Sequence, residues 1–585
     1  MTTGSSRIFP GFDDPAGPGS AVLPRLLTGL MLAFIAAKLV TLAVLAVNTA
    51  FIMDEYWIAD QALRSPAILY QDLFPGKTQL YAAFFRIAHW LADDAVQVML
   101  TARAQGVVLA GFGLGLVYLI ALNIGRSRLE ALFILCVILA FSSFMERAFM
   151  VRPEPLATFF ALGALWVATQ RHQTLWLCFA AGLVSGLAFL ATQKAVYFNV
   201  ALGLALLGDG FARRSFKEGV LSGAVLVLGW AVMVIAYGLY FVLYGAEFTE
   251  VLRQVFFGPT LKNAMAGHEA YGGLRWLILQ TLIRNTALYV LCLAGWGLML
   301  MRFAHLTSQE RRAWIFSGVI SMLVFAHPAP WPYNLIMAIP FLGLWSTALP
   351  RFVRKGPAAI SALFAGVVAI VLAFSFARNV HYLDHDNRFQ NETVRLAETL
   401  LGPDDAYFDG TGMVVTRQQA GSRWRGQVVS WDRLGIGRIL ADARRGNLDH
   451  IEAVFAGSPK VWILSYRTAA LDSVLGPYLR NSYVPISPNV LISGVKLVPG
   501  DETLFQNRWK GSYRLYRADG RTATTPLIVD GNPVTGGVAL GTGKHSIRLD
   551  VGREPLFLLP ADITVPFTIP RRHEQRVLFD RVYTF

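Results

Sequence analysis

Two adjacent carboxylates, Asp54 and Glu55, directly follow the first long apolar segment of the chain. An ionised carboxylate held within reach of a hydroxyl group can take its proton, which is general-base catalysis. A carboxylate pair fixed at a helix end is therefore well placed to act as a base. The alternative is that Asp54 only faces water where a helix ends.

The composition places this pair in a membrane protein. Of the 585 residues, 54% are hydrophobic and 15% are charged, against about a quarter charged in soluble domains. Stretches such as 106–122, 220–242 and 358–376 are long enough to cross about 30 Å of hydrocarbon. No such stretch recurs after about residue 378. The sequence predicts a cytoplasmic tail over residues 1–21, a membrane part over 22–377, and a soluble region thereafter.

The formal net charge of +14 does not indicate nucleic-acid binding. The basic residues lie mainly in short loops between apolar helices, where membrane topology explains them. The three cysteines, Cys136, Cys178 and Cys292, each lie within an apolar stretch. They predict neither a disulfide framework nor a metal site.

The spacing of apolar stretches predicts about eleven transmembrane helices. We place them at residues 22–50, 103–123, 130–146, 155–169, 175–192, 195–209, 218–243, 283–302, 313–326, 334–349 and 358–377. Alternate loops are short and basic, for example around Arg126, Arg213 and Arg312, which assigns them to the cytoplasm. The opposite side receives loop 51–102, loop 244–282 and the whole soluble region. We therefore expect a bacterial inner-membrane protein whose C-terminal region is periplasmic.

Residues of unusual chemistry fall on that same exterior side. They are Asp54, Glu55, Lys77, Arg103, Arg152, Glu154, Lys194, His327 and Tyr333. Charges at the edge of the hydrocarbon are costly unless they pair or line a wet cavity, so charges of both signs on one side indicate a site. Each one taken alone also fits ordinary interfacial anchoring, a local salt bridge, or an aromatic belt.

The motifs of this region resemble those of the membrane-embedded GT-C glycosyltransferases, particularly the protein O-mannosyltransferase and lipid A aminoarabinose transferase branch. The matching residues are the Asp54-Glu55 pair, Tyr70-Gln71-Asp72, Lys77 before Thr78, Arg103, Arg152-Pro153-Glu154, the stretch 186–194 ending in Lys194, and the stretch from His327 to Tyr333. The family's Lys-Pro-Pro element reads Lys-Thr-Gln here. The resemblance covers about residues 50–350.

The resemblance implies an inverting glycosyltransferase that takes a sugar from a polyprenyl-phosphate donor in the membrane. Asp54 would be the general base, and Glu55 would orient the acceptor or a neighbouring cation. The phosphate would be bound by the cations Lys77, Arg103, Arg152 and Lys194. The cavity or acceptor side would contain Asp72, Glu154, His327 and Tyr333. No metal is required, although Asp54 and Glu154 remain able to hold a divalent cation.

The soluble region divides by pattern into two parts. Residues 378–497 alternate short apolar strands with helices, which predicts a small α/β unit. Residues 498–585 predict a β-sandwich of jelly-roll type. Its aromatic residues Trp509, Tyr513 and Tyr516 either stack on sugar rings, as in a carbohydrate-binding module, or belong to the core.

The leading hypothesis is transfer of a hexosyl or pentosyl group to an envelope glycan, a glycolipid or a protein. A transporter or lipid flippase would also place charges within a helical bundle, but it is expected to have internal repeats and polar residues near the bilayer midplane. A non-catalytic membrane scaffold that presents the soluble region is the third hypothesis. The sugar and the acceptor do not follow from a fold-level resemblance.

Overall fold

A computed structural model describes residues 22–266, 274–327, 331–354, 356–380, 386–424, 426–429, 431–570 and 574–579. The predicted N-terminal tail, residues 1–21, lies outside these ranges. Residues 267–273 of the predicted loop 244–282 also lie outside them.

The N-terminal two thirds of the described chain are helical. The helices are α1 (Val22–Asn48), α2 (Met53–Arg64), α3 (Leu80–Leu91), α4 (Ala95–Asn123), α5 (Arg128–Ala140), α6 (Ser142–Arg147), α7 (Pro153–Ala168), α8 (Leu175–Ala191), α9 (Val196–Ala212), α10 (Phe216–Val242), α11 (Phe248–Ala266), α12 (Leu274–Arg284), α13 (Thr286–Leu300), α14 (Ser308–Phe325), α15 (Ile339–Gly343), α16 (Ala348–Val353) and α17 (Ala358–Val380). Short 3₁₀ turns, Gln193–Ala195 and Pro332–Met337, precede α9 and α15.

Within the described ranges, five helices are long and apolar enough to cross a membrane: α1, α4, α9, α10 and α17. The pair α12 and α13 makes a sixth span if it counts as one helix bent by 83°. The chain is thus a multi-pass membrane protein. Helix length does not establish the count of about eleven spans, which stays a prediction.

Each of the eleven predicted spans overlaps helical structure, but three are interrupted, one of them 283–302 at the bend between α12 and α13. The predicted span 130–146 divides at Phe141, whose backbone is extended between α5 and α6. The amide oxygen of Asn285 accepts a hydrogen bond from the Ser142 backbone N–H at 3.0 Å. That bond satisfies a donor that the break exposes. The predicted span 334–349 consists of the second 3₁₀ turn, α15 and a turn before α16.

Glycines allow α8 and α10 to pack closely together. A Cβ atom at Gly182 on α8 would overlap the Leu226 carbonyl oxygen on α10, and one at Gly229 would overlap the Phe179 carbonyl oxygen. Without side chains at these positions the two backbones touch directly. This is the small-residue packing typical of helices in lipid, where apolar burial alone drives little association.

The C-terminal region begins with α18 (Arg388–Thr399), which is tied to the end of α1. The Gln390 amide oxygen accepts from the Phe51 backbone N–H at 2.8 Å, and the Asn387 amide donates to the Val47 carbonyl at 2.7 Å. The start of the soluble region is therefore fixed against the segment that leads into α2.

A mixed sheet and five further helices follow. The strands are β1 (Tyr407–Phe408), β2 (Ser422–Trp424), β3 (Gln427–Val429), β4 (Val461–Ile463), β5 (Tyr483–Pro485) and β6 (Val490–Ser493), and the helices are α19 (Trp431–Leu434), α20 (Ile436–Arg444), α21 (Asp449–Ala456), α22 (Tyr466–Ala469) and α23 (Asp472–Arg480). The mixed sheet has the order β1-β4-β6-β5, with β1 parallel to β4 and Tyr407 opposite Val461, and β2 and β3 form a separate antiparallel pair. Helices lie between β3 and β4 and between β4 and β5. The α/β domain over residues 378–497 stays a prediction.

Eight strands form the last part. They are β7 (Val495–Leu497), β8 (Glu502–Asn507), β9 (Gly511–Tyr516), β10 (Leu527–Val529), β11 (Asn532–Val534), β12 (Gly537–Leu540), β13 (Gly543–Arg548) and β14 (Leu556–Pro560). They make two sheets, β11-β10-β13-β8 and β12-β9-β14-β7, around one apolar cluster. The jelly-roll connectivity stays a prediction.

Candidate functional site

The two carboxylates lie in the first turn of α2, close to the end of α1. The chain leaves α1 at Asn48, and Ile52 is the extended residue before α2. Acidic residues are favourable there because the first N–H groups of a helix have no intrahelical acceptor. Although they are adjacent, Asp54 and Glu55 have opposite environments.

Glu55 is fully buried and fully hydrogen-bonded. Its carboxylate accepts from the Ile52 N–H at 3.1 Å, the Val151 N–H at 3.0 Å, and Arg103 Nη2 and Nε at 2.6 and 2.9 Å. Because no lone pair faces a cavity, Glu55 is a structural carboxylate in this structure. The prediction that it orients a neighbouring cation agrees with its contact to Arg103, but Glu55 is not placed to contact an acceptor.

Arg103 is equally occupied. Besides Glu55, its guanidinium donates to the carbonyl oxygens of Ala46, Thr49 and Ala50 at 3.2, 2.7 and 3.0 Å. Its side chain has no exposed surface. Arg103 therefore fastens α4 to the end of α1, and it is not placed to meet a phosphate as the sequence predicted.

Four charged side chains form the cluster that includes Asp54. Arg152 donates to Asp54 Oδ2 and, through Nε, to Glu154 Oε2 at 3.2 Å. Lys194 Nζ donates to Glu154 Oε1 at 2.7 Å. Asp54 and Lys194 are 23% and 24% exposed in their side chains, whereas Glu154 is buried. The rim of the cluster is thus one carboxylate and one ammonium group.

The local sequence explains this convergence. Arg152 is the extended residue before α7, and Pro153 and Pro155 in the first turn fix where the helix begins. Glu154 therefore sits at the N-terminus of α7. Lys194 occupies the 3₁₀ turn between α8 and α9.

An aromatic ring covers the two cations. The Arg152 Cζ atom is 3.7 Å and the Lys194 Nζ atom 4.6 Å from the ring centroid of Tyr333. Lys194 Nζ also donates to the Asn334 amide oxygen at 2.9 Å. Tyr333 was predicted for this site. Asn334 was not, since a lone asparagine carries no pattern that separates it from any other polar residue.

Three other predicted members have further contacts of their own. His327 is half-buried, with its ring 5.8 Å from that of Tyr197. Lys77 is half-buried, with Nζ 4.2 Å from the ring centroid of Trp57 on α2. Asp72 is exposed, and its carbonyl oxygen accepts from the Val428 N–H of the soluble region.

The turn that carries Lys77 is held by a network the sequence did not indicate. The Tyr70 hydroxyl donates to the Lys77 carbonyl at 2.7 Å and is 2.7 Å from the Tyr237 hydroxyl of α10. The Gly76 N–H donates to the Gln254 amide oxygen of α11 at 3.2 Å. Helices α10 and α11 therefore set the position of this cation.

The soluble region is seated on α2 through a second buried carboxylate. Asp409 accepts five hydrogen bonds, three of them from the backbone N–H groups of Thr411, Gly412 and Met413. Burial nevertheless raises the pKa of Asp409 above its ordinary value. The loop it organises packs against α2, where Gly412 lies beside the Asp60 side chain.

The three aromatic residues predicted for sugar binding have different surroundings. Tyr513 is buried in the sandwich core, and its hydroxyl contacts Ser493 and donates to Asn507. Tyr516 is buried against Phe567. Trp509 Nε1 donates to the Asp405 carboxylate of the α/β unit at 2.9 Å. Both tyrosines are thus buried, as the core alternative expects, and Trp509 contacts the α/β unit. Sugar binding by this region stays a prediction.

Among the residues that the structure describes, no three His, Cys, Asp or Glu side chains are grouped so that they could hold a metal ion. Asp54 and Glu154 share the Arg152 guanidinium instead. A divalent cation between them stays a prediction.

Comparison with solved structures identifies the fold. The structure resembles ArnT from Cupriavidus metallidurans bound to undecaprenyl phosphate, with a TM-score of 0.57, 13% identity, and coverage of 79% of this chain and 98% of ArnT. For ArnT in the apo state the TM-score is 0.56 and the identity 14%, with the same coverage. The archaeal oligosaccharyltransferase AglB from Archaeoglobus fulgidus, in complex with an inhibitory peptide and a dolichol-phosphate, aligns at a TM-score of 0.48 and 10% identity, over 84% of this chain and 74% of AglB.

Sequence comparison adds two domains in the soluble region. Residues 440–492 match a domain of unknown function (DUF7056), and residues 495–560 match another (DUF7055). No curated protein matches the sequence. The chain therefore has the fold of the GT-C glycosyltransferases, as the motifs predicted, joined to a soluble region whose domains carry no assigned activity.

Proposed function

We propose that this protein is a glycosyltransferase that moves a sugar from a polyprenyl-phosphate donor to an envelope glycan, a glycolipid or a protein at the exterior face of the bacterial inner membrane. The observation that carries the proposal is the cluster in which Asp54 is partly exposed and shares its cation with Glu154. The GT-C fold supports the same class of reaction.

Asp54 is the general base in this proposal. The acceptor hydroxyl gives its proton to the Asp54 carboxylate while its oxygen forms a bond to the anomeric carbon of the sugar. The bond from that carbon to the phosphate oxygen breaks, and the polyprenyl phosphate leaves with the electron pair. One such displacement inverts the anomeric centre. Glu55 cannot replace Asp54, because all of its acceptor capacity is used by backbone N–H groups and Arg103.

Arg152, Lys194 and Lys77 bind the phosphate in this proposal. Negative charge develops on the leaving phosphate, and fixed cations in a partly dry site stabilise it without reorganisation. Glu154 holds Arg152 and Lys194 side by side, and the Tyr333 ring supports both. The phosphate would lie over this pair, with the sugar directed to Asp54.

The test is transfer of labelled sugar from a panel of polyprenyl-phosphate donors to total envelope acceptors by the purified full-length protein. We compare wild type with Asp54→Asn and with Asp93→Asn, an exposed carboxylate between α3 and α4. Loss of the base lowers kcat by about 10²–10⁴-fold in Asp54→Asn, and Asp93→Asn keeps wild-type activity. Normal transfer by Asp54→Asn would refute the base assignment. If the wild-type protein uses none of the donors, the transporter hypothesis becomes better supported than the glycosyltransferase hypothesis.

A further inference from the structure

Two of the cations assigned to the phosphate lie on turns that are far apart in the chain. Lys77 directly follows Gly76 in the loop between α2 and α3, and Lys194 directly follows Gln193 in the 3₁₀ turn between α8 and α9. Lysine side chains are long and flexible, so two of them act together on one phosphate only if the backbone that carries them is well held. An element that holds both turns therefore sets the spacing of the two lysines.

Helix α11 contacts the Lys194 turn at a point where its own hydrogen bonding is interrupted. Pro259 lies inside α11 and has no N–H group, so the carbonyl oxygen of Val255, four residues earlier, receives no hydrogen bond from it. The side-chain amide of Gln193 donates to this oxygen at 2.8 Å and to the Gln254 carbonyl oxygen at 3.0 Å. The residue that precedes Lys194 thus supplies the donor that proline lacks.

The same part of α11 binds the Lys77 turn through the side chain of Gln254. The Gly76 N–H donates to the Gln254 amide oxygen at 3.2 Å. The NH₂ group of Gln254 donates to the Glu250 carboxylate at 2.6 Å and to the amide oxygen of Gln427, in β3, at 3.2 Å. Because an ionised carboxylate can only accept, Glu250 orients the amide so that its oxygen faces Gly76. Gln254 is fully buried, so these contacts are shielded from water.

Gly258, one helical turn after Gln254, brings the two turns together. A Cβ atom at this position would overlap both the Gly76 carbonyl oxygen and the Gln193 Nε2 atom. Only glycine lets both groups approach α11 so closely. The residues that precede the two lysines are therefore neighbours at one point on α11.

We propose that this turn of α11, through Gln254 and Gly258, is a positioning element that sets the spacing of Lys77 and Lys194, so that both ammonium groups bind the phosphate of one polyprenyl lipid. The inference rests on the proposed function for the identity of the phosphate. Gln254 and Gly258 do not touch the phosphate and act only through the backbone that precedes each lysine. Two cations held at a fixed spacing stabilise the phosphate charge without reorganisation.

The test measures the affinity of the purified full-length protein for undecaprenyl phosphate, together with the KM for the acceptor. Gly258→Ala forces the Gly76 and Gln193 groups away from α11, and Gln254→Met keeps a side chain of similar length but removes the bond to the Gly76 N–H. We expect each change to weaken undecaprenyl phosphate about tenfold, the loss of one charge-assisted contact, with the acceptor KM unchanged. Wild-type affinity in both variants would overturn the proposal.

A matched control separates positioning from a general loss of stability. In Gly295→Ala, on α13, the new Cβ atom overlaps the Trp345 carbonyl oxygen, in the turn before α16. We expect this variant to have a lower apparent Tm and to bind undecaprenyl phosphate as wild type does. If it weakens binding as much as Gly258→Ala does at an equal fall in Tm, the effect is one of stability and the proposal is wrong.

A double-mutant cycle gives a readout that a merely structural role would not change. If Gln254 acts through Lys77, Gln254→Met causes less than about a twofold further loss of affinity in a Lys77→Gln background. The same tenfold loss in both backgrounds would mean that Gln254 acts independently of Lys77, which also overturns the proposal.

These measurements distinguish the positioning role from the proposed function. Wild type that binds undecaprenyl phosphate with this coupling but transfers no sugar refutes the proposed function and keeps the positioning role. Wild type that transfers sugar while Gly258→Ala and Gln254→Met bind undecaprenyl phosphate normally keeps the proposed function and refutes the positioning role.

Discussion

Replacing Glu55 by Gln tests the division of labour between the two adjacent carboxylates. The change is nearly isosteric, but it removes the charge partner of Arg103 where neither side chain is exposed. It also turns an NH₂ group toward two donors that a carboxylate oxygen accepted. Breaking a buried ion pair by removing one partner costs about 3–5 kcal/mol, because the other charge stays buried.

That cost is measurable as a lower unfolding temperature. At about 1–2 °C per kcal/mol for a chain of more than 250 residues, the apparent Tm of Glu55→Gln falls by roughly 3–10 °C. The apparent Tm is measured in detergent at one fixed scan rate, because unfolding is commonly irreversible and the apparent Tm then depends on the scan rate. Asp54→Asn is the matched control, with a change of less than about 2 °C because Asp54 is partly exposed and Arg152 keeps Glu154.

The two variants separate stability from chemistry. Asp54→Asn is expected to lose sugar transfer while its apparent Tm stays nearly unchanged. Glu55→Gln is expected to have a lower apparent Tm, while the protein that remains folded still transfers sugar. If Glu55→Gln unfolds at the wild-type temperature and has lost transfer, Glu55 acts in catalysis and our reading of its burial is wrong. The apolar pair Glu55→Leu with Arg103→Met should recover part of the lost stability, as well-packed replacements of buried ion pairs do.

Three further predictions follow from contacts described above. Lys194→Gln leaves Glu154 with one cation instead of two, and we expect it to raise the KM for the donor about tenfold or more, with Lys194→Arg as the control. An unchanged KM would exclude Lys194 from the phosphate site. In Gly182→Ala the added methyl group overlaps the Leu226 carbonyl oxygen and pushes α8 away from α10, so the apparent Tm falls by several degrees. An apparent Tm equal to that of wild type would mean that the two helices can move apart at no cost in stability. Tyr513→Phe removes the hydroxyl that contacts Ser493 and Asn507 in the sandwich, and we expect a lower Tm with sugar transfer unchanged. Weaker glycan binding without a fall in Tm would instead indicate that Tyr513 binds sugar.

The sequence predicted the members of the cluster better than their pairing. Loop charge placed Asp54, Arg152, Glu154, Lys194 and Tyr333 on one side, and side chains at the same ends of packed helices are bound to meet. Asp54 and Glu154 share the Arg152 guanidinium because of where α7 begins. That position is set by packing as well as by proline, so the sequence alone did not predict the pairing.

Glu55 shows that a sequence pattern does not distinguish a buried structural carboxylate from an adjacent, partly exposed one. Its position at the third residue of α2 and its bond to the Ile52 N–H are half of a capping box. The usual signature has Ser or Thr as the first partner, and here that position is isoleucine. No sequence pattern therefore distinguished the buried Glu55 from Asp54, the proposed base beside it.

Tyr513 carried a usable signal. Along β9, Ser512 and Arg514 are exposed, whereas Tyr513 and Leu515 are buried on the opposite face. Since strand side chains alternate, the leucine two residues later indicates that the tyrosine faces the core.

The contact between Met53 and Tyr466 joins residues 413 positions apart. At 5–20 residues per second, a ribosome needs about 20–80 s between making one side of this contact and the other. During that time α2 and its carboxylates already exist, while the surface that seats on them does not. The contact that seats the soluble region on α2 therefore forms after α2 and the cluster have been made, and a chain truncated before α22 lacks it.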